Sequence, residues 1–315
     1  MKSQRPPVQQ PKHFMRPSAG FALLAAVVSA FLATPAFATS GTWSGSASTA
    51  WTNAANWSAS PAPGTGEAAT FSGAGNGNTT IDLTGGVTVG TSTFDTASAA
   101  AYTIGTGGAG GQTLTLSANG GIRMISTVTN NQLFNANLSL GTAAGPKVFT
   151  ITNNSTTATL TLAGGITTVQ TGNITNIFAG SGAIVISGPI SNGSGSILLL
   201  KTNNPGTVIL TTSNNFTGVL FNTGTGTGDC GAIRVAHSDA LTGATIQMNG
   251  QNATTQTIEL TNNITLTNNI NSNSRDVTRP MIRNVSGTNT YAGTYAAIGT
   301  GGGITFESAA GKLNL

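Results

Sequence analysis

The stretch Thr207–Gly250, TVILTTSNNFTGVLFNTGTGTGDCGAIRVAHSDALTGATIQMNG, decides the fold. An apolar triplet, Val208-Ile209-Leu210, leads into a polar corner, Ser213-Asn214-Asn215-Phe216-Thr217-Gly218. A second triplet, Ile233-Arg234-Val235, stands one unit later. A short strand, a Gly/Asn/Thr corner and another short strand, repeated, is the sequence pattern of a solenoid. In a strand the outer residues of such a triplet point one way and the middle residue the other.

Outward from this stretch, apolar-x-apolar triplets are centred on Thr115, Ser139, Thr161, Val185, Ile209, Arg234, Glu259, Arg283 and Thr305, spaced 22 to 25 residues apart. The triplet around Arg283 is the weakest, because Asn284 takes an inward position. One triplet per coil would stack Leu114/Leu116, Leu138/Leu140, Leu160/Leu162, Ile184/Ile186 and Val208/Leu210 into two internal ladders. A period near 24 suits a coil of three short strands and three turns. Residues that tolerate positive φ stand at Gly107-Gly108, Gly120-Gly121, Asn153-Asn154, Gly164-Gly165, Asn203-Asn204 and Asn262-Asn263. A Greek-key sandwich also alternates strands with turns, but at spacings of about 8–12 residues and without a longer period. The spacing therefore predicts an all-β chain folded as a parallel β-helix. At ~4.8 Å per coil, the steps between the triplets make a rod of roughly 40 Å. Arg234, Glu259 and Arg283 are outward centres in consecutive units. Glu259 would then lie between two arginines, a ladder worth about 0.2–1 kcal/mol per pair.

The chain has 315 residues, 43 of them glycine, and only 6% are charged. Residues 1–38 read as a secretory signal: Lys2, Arg5, Lys12 and Arg16 precede an apolar Phe21–Ala33, and Ala36-Phe37-Ala38 forms the cleavage site. The apolar run is too short to span a bilayer and stops at Thr34-Pro35, against a membrane anchor. Cleavage after Ala38 lowers Lys+Arg from 12 to 8, equal to the 8 Asp+Glu, so the mature chain is formally neutral. Its high isoelectric point is then no footprint of nucleic acid. The one basic cluster left is Arg275, Arg279 and Arg283. Dense Thr, Val and Ile runs argue against disorder, and no mature apolar stretch is long enough for membrane insertion. Cys230 is the single cysteine, which excludes an internal disulfide. A small buried apolar role is expected of it; it does not follow the cleavage site, as a lipoprotein cysteine would.

The expected organisation is a signal at 1–38, a Trp-rich cap at 39–90 and repeats over 91–315. All three tryptophans, Trp43, Trp51 and Trp57, fall in the cap. Exposed, they could stack on sugar rings and bind a surface glycan. Buried, they would close the open end of a solenoid, which needs an atypical first unit. The lack of repetition there favours capping.

Leu210-Thr-Thr-Ser-Asn-Asn-Phe-Thr-Gly218, followed by Gly231-Ala-Ile-Arg-Val-Ala-His-Ser-Asp-Ala-Leu-Thr-Gly243, resembles the autotransporter-associated β-strand repeat. The family pattern is L-x-x-x-N-x-[YF]-T-G, a variable strand, then G-x-L-x-V and a small-residue turn. Ile233 stands in place of the usual Leu. A partial second copy is Val285-Ser-Gly-Thr-Asn-Thr-Tyr-Ala-Gly293, with Ala292 replacing Thr. The match is specific over 208–250 and looser over 285–315. The resemblance implies a right-handed parallel β-helix in an exported passenger, secreted or held at the cell surface. Members usually carry a C-terminal barrel or sorting anchor. Here the sequence stops at Gly311-Lys-Leu-Asn-Leu315, so the repeats are expected to be truncated there.

Catalytic constellations are sparse. His237, the one histidine after the signal, lies in His237-Ser238-Asp239, and sequence neighbours cannot converge as a triad. Zinc ligation lacks His and Cys. Gly105-Thr-Gly107-Gly-Ala-Gly110 matches G-x-G-x-x-G but precedes a strand, not a helix, so no phosphate site follows. The glycine runs lack the regular Asp of calcium rolls. A β-helix polysaccharide lyase or hydrolase would need converging carboxylates. Glu67, Asp82, Asp95, Asp229, Asp239, Glu259, Asp276 and Glu307 are scattered, with Asp229, Asp239 and Glu259 beside Arg234 the nearest to a cluster. The expected function is a non-catalytic, adhesin-like structural stalk without cofactor or metal, its partner a surface glycan or cell-surface molecule.

Overall fold

The computed structural model describes residues 39–142, 148–202, 204–221, 229–249, 255–273, 280–297 and 304–315. The signal-like segment 1–38, Arg275, Asp276 and Arg279 lie outside them. All described strands belong to the compact unit Ala38–Leu315. The unit is a parallel β-solenoid of about 10 turns with a spacing of about 25 residues.

Each coil visits three ladders in turn. The first runs from Gly41–Thr42 through Ala68–Phe71, Val148–Asn153, Gly172–Ala179, Gly195–Lys201 and Gly218–Phe221 to Tyr295–Ala297. The second is a 10-stranded sheet from Thr80–Ile81 to Phe306–Ser308. The third holds Asn137–Leu140 and Ile166–Thr168, thins to single bridges at Ile190 and Asn215, and widens again at Thr265–Leu266, Thr288–Tyr291 and Lys312–Asn314. Val87–Phe94 and Thr113–Met124 join the first and third ladders through a register shift between Val89 and Thr91. The 39–90 region begins the stack, with its three tryptophans buried there. It supplies rungs of both main sheets, and the expected boundary at residue 90 falls inside a strand.

Six of the nine triplets stack on the second ladder, pairing Thr161, Val185, Ile209, Arg234, Glu259 and Arg283 in register. Those centred on Thr115 and Ser139 pair with each other on the third ladder, so Leu114/Leu116 and Leu138/Leu140 continue into Ile166/Thr168 and not into Leu160/Leu162. Opposite Leu160-Thr161-Leu162 stands Gln132-Leu133-Phe134 instead. The last expected rung, centred on Thr305, is displaced by two residues: Phe306 faces Ile282 and Glu307 faces Arg283. A slip of two keeps the same residues pointing inward, so the bulkier Phe306 takes the inward position opposite Ile282, partly buried against the core. Inside, Leu160, Ile184, Val208, Ile233, Ile258 and Ile282 form one continuous buried column. Each such side chain contributes about 1.5–3 kcal/mol.

The corners work differently from the expectation of positive φ. Gly107, Gly165, Asn262 and Asn263 do have positive φ, but Asn153 and Asn204 do not. Asn153 is buried and bonds across coils: its Nδ2 donates to the carbonyls of Ala158 and Ala183, and its Oδ1 accepts from Ser155 N–H. Buried corner carbonyls have no water, so an amide side chain supplies the donor. Asn284 finds its explanation here as well. It is buried on the inward side and its Nδ2 donates to Gly287 O, Ala310 O and Ser308 Oγ.

Asn176 and Lys201 are two of the larger polar side chains interrupting the apolar columns of the first ladder among the described residues. Asn176 lies between Phe149 and Leu199, fully buried, and neither amide atom has a hydrogen-bond partner among the described residues. Asn176→Leu is expected to raise stability by about 1–3 kcal/mol, the desolvation cost of an unpaired buried amide. A denaturant midpoint that stays put or falls would mean that the amide has a partner, such as an internal water.

Candidate functional site

The tryptophans are in the core. Trp43, Trp51 and Trp57 are 2%, 1% and 6% exposed. Trp57 meets Trp43 and Trp51 edge-on, with ring centroids 5.0 and 4.8 Å apart, and Phe71 touches all three. Each indole N–H is held inside: Trp43 donates to Asn78 O, Trp51 to Pro63 O and Trp57 to Trp51 O. Local polar geometry holds the loop that carries them. The Asn53 side chain caps the 3₁₀ turn Ala54–Asn56, and buried Asn56 accepts from Ala47 and Ser48 N–H. Stacking on a sugar needs an open ring face, and none of these has one; this corrects the glycan-stacking assignment of Trp43, Trp51 and Trp57.

The outward face of the second ladder carries the main charge constellation. Glu259, its side chain 8% exposed, accepts at Oε2 from Arg234 Nε at 2.8 Å and Nη2 at 2.7 Å. Its Oε1 lies 3.5 Å from Arg283 Nη1, and Arg283 Nε donates to Glu307 at 3.2 Å. The alternation of Arg234, Glu259 and Arg283 was legible in the triplet register. Glu307 was missed because the sequence places Thr305 at that rung. Beside the ladder runs a groove of about 450 Å³, lined among others by Thr207, Asp229, Thr257, Glu259, Arg283 and Glu307. It gathers three of the eight acidic residues that look scattered in sequence. Arg283 stands between Glu259 and Glu307 and pairs with both, leaving two carboxylates bridged by a cation, not facing each other.

Glu259→Ala is expected to cost about 1–3 kcal/mol, more than a surface pair, because charge-assisted bonds to a shielded carboxylate are lost. The arginines stay about a third exposed and rehydrate, which keeps the cost below that of a fully buried pair. Denaturant unfolding at low and high salt checks this; a loss that vanishes in salt would place the pair on the open surface.

The remaining candidates separate. Asp239 is exposed at the corner after Asp229–Val235, where its backbone N–H is accepted by His237 Nδ1 at 3.0 Å, and it is not among the residues lining the groove. Gly105–Gly110 forms a bend and turn before strand Thr113–Met124, as its sequence context predicts. Cys230 is buried and in no disulfide. Among the described residues no group of three or more His, Cys, Asp or Glu gathers as metal ligands.

Sequence reading missed Lys201. It occupies an inward position of Gly195–Lys201, in line with Phe178 and Phe221, and is 1% exposed. Strict alternation through Ile197, Leu199 and Lys201 carries that signal. Its Nζ donates to Asn204 Oδ1 at 2.9 Å and Gly206 O at 2.8 Å, both uncharged. Burial pushes its pKa down to about 8, partly offset by the nearby Cys230 and Asp229.

The resembling stretches 210–218 and 285–293 share one structural task. Asn214 Oδ1 accepts from Ile190 N–H and Asn289 Oδ1 from Ile264 N–H, both at 2.8 Å and both about one coil back. Phe216 and Tyr291 are buried behind them. The terminal glycines are there for space: a Cβ on Gly293 would come within 2.0 Å of Asn268 O. No family model, no curated protein and no solved structure matches the chain.

Proposed function

We propose that this chain is a non-catalytic, exported β-solenoid of the autotransporter-associated repeat type, working as an adhesin-like stalk outside the cytoplasm. One observation carries this reading. Described coils throughout the unit pair in parallel register, and their functional groups are engaged in the stack itself. The amides of Asn153 and Asn214 bond neighbouring coils, the indoles fill the core, and the groove carboxylates Glu259 and Glu307 share Arg283. The residues before Thr39 have the composition of a cleaved secretory signal, which supports export.

Expression of the full chain in a bacterial host, followed by fractionation and N-terminal sequencing, tests the export half. Mature protein beginning at Thr39 outside the cytoplasm is expected, and retention of Met1 in the cytoplasm would refute it. Incubation with uncharged and anionic polysaccharides tests the other half. Depolymerisation by the wild-type chain that disappears in Glu259→Gln would replace the stalk with an enzyme.

A further inference from the structure

We propose that Lys201 and Asn204 join in an intramolecular isopeptide bond, Nζ to Cγ, with release of ammonia. Four observations of geometry converge on it. Both residues are buried, at 1% and 6% exposure. The amine already touches the amide, Nζ to Oδ1 at 2.9 Å. The amide is held from its other end, since Asn204 Nδ2 donates to Phe178 O at 3.3 Å and to Thr202 O. Among the described residues the ammonium's acceptors, Asn204 Oδ1 and Gly206 O, are both uncharged.

Holding an amine and an acyl carbon together in a dry site replaces the entropy cost of their encounter. What normally stops an amine from attacking an amide is its proton. Here burial lowers the amine pKa to about 8, so the neutral nucleophile is accessible near that pH. Asp229 and Cys230, on the neighbouring strand Asp229–Val235, are the titratable groups whose charge acts on it. Asp229 is the carboxylate assigned to carry the proton.

The step balances without an oxidant. The neutral amine attacks Cγ, the Nζ–Cγ bond forms and the Cγ–Nδ2 bond breaks. The amine proton passes by way of Asp229 to the departing nitrogen, which leaves as ammonia. The product is an uncharged secondary amide where an ammonium stood among Phe178 and Phe221, so the reaction removes a buried charge. It also ties the end of Gly195–Lys201 to the corner that leads into Thr207–Leu210.

Mass spectrometry of the folded full chain tests this. After ageing at pH 8 to 9, trypsin should leave Lys201 uncut in a peptide Val148–Arg234 that is lighter by one ammonia. Simple ring closure of Asn204 is blocked because the next residue, Pro205, has no N–H to attack with. Ammonia lost from Asn203 would leave Lys201 cleavable, so the missed cut identifies the bond. Its rate should rise about tenfold per pH unit up to about pH 8, as the neutral amine becomes populated. Asp229→Asn, which keeps the acceptor for Gly231 N–H, should slow it by about a hundredfold. An unchanged rate there would remove Asp229 from the mechanism. Complete cleavage at Lys201 with unaltered mass, in protein shown to be folded by circular dichroism, would overturn the proposal. So would an ammonia-deficient, uncut peptide from Asn204→Ala.

Discussion

Trp51→Ala should lower stability by about 3–5 kcal/mol, the cost of emptying a large core site that cannot collapse. The indole is 1% exposed, packs on Trp57 and Phe71, and its N–H is the donor for Pro63 O, so truncation opens a void and orphans a buried carbonyl together. Among the described residues Gly41–Thr42 pairs with Ala68–Phe71 on one side only, and coil interfaces add roughly in sequence along a solenoid. The loss should therefore appear first as fraying of Gly41–Thr42 and Ala68–Phe71, seen as faster hydrogen exchange there than at Ile184–Ile186. Trp51→Phe should retain more than half of the stability lost in Trp51→Ala. A wild-type denaturant midpoint in Trp51→Ala would show an indole that contributes nothing to the core.

Protein whose Lys201 amine is unlinked should become more stable as pH rises from 8 to 10. In the unfolded chain the amine has its ordinary pKa of 10.5, and in the folded chain burial lowers this to about 8. Between those values the unfolded state binds a proton that the folded state has released, so raising pH favours folding. The full gap is worth on the order of 3 kcal/mol at 1.36 kcal/mol per unit. Above pH 10 the trend should reverse. Burial raises Tyr102 and Tyr291 to about 12, so unfolded tyrosines ionise first and draw the chain open. Denaturant midpoints from pH 7 to 11 check both limbs. Lys201→Met should abolish the rise and keep the fall; a rise that survives in Lys201→Met would belong to another group. Chains already linked to Asn204 carry no such amine and should give a flat profile between pH 8 and 10.

The solenoid was legible because its period is written by the same physical demand in every coil, an inward pair of apolar residues around an outward one. That demand is also why the ladder assignment failed at Thr115 and Ser139. Leu114-Thr115-Leu116 and Leu138-Ser139-Leu140 satisfy it on the third ladder as fully as Leu160-Thr161-Leu162 does on the second. Alternation reports which way a side chain points and is silent about which of three faces it belongs to. The Arg234–Glu259–Arg283 register emerged because the spacing is 24 or 25 residues throughout that part of the chain. The groove did not, since Glu307 reaches it through the two-residue displacement of the last rung and Asp229 lies beyond a register shift between Asp229 and Gly231. Asn153, Asn204 and Asn284 were read as turn formers or as a flaw. A lone asparagine in a corner has the same sequence signature whether it supplies positive φ or, as here, a buried donor to the next coil.

The same stacking has a mechanical side. Each coil's hydrogen bonds run along the stack to the coils before and after it, while the covalent chain runs around it. Tension applied between the two ends of the unit would load the outermost coil's bonds one after another, as in opening a zipper, and not all together. Among the described residues the strands Tyr295–Ala297, Phe306–Ser308 and Lys312–Asn314 pair on one side, and at the N-terminal rungs three interleaved indoles pack together. Peeling should release chain in instalments of one coil, roughly 80 Å of extended backbone each. Such a unit gives way gradually under load, one coil at a time.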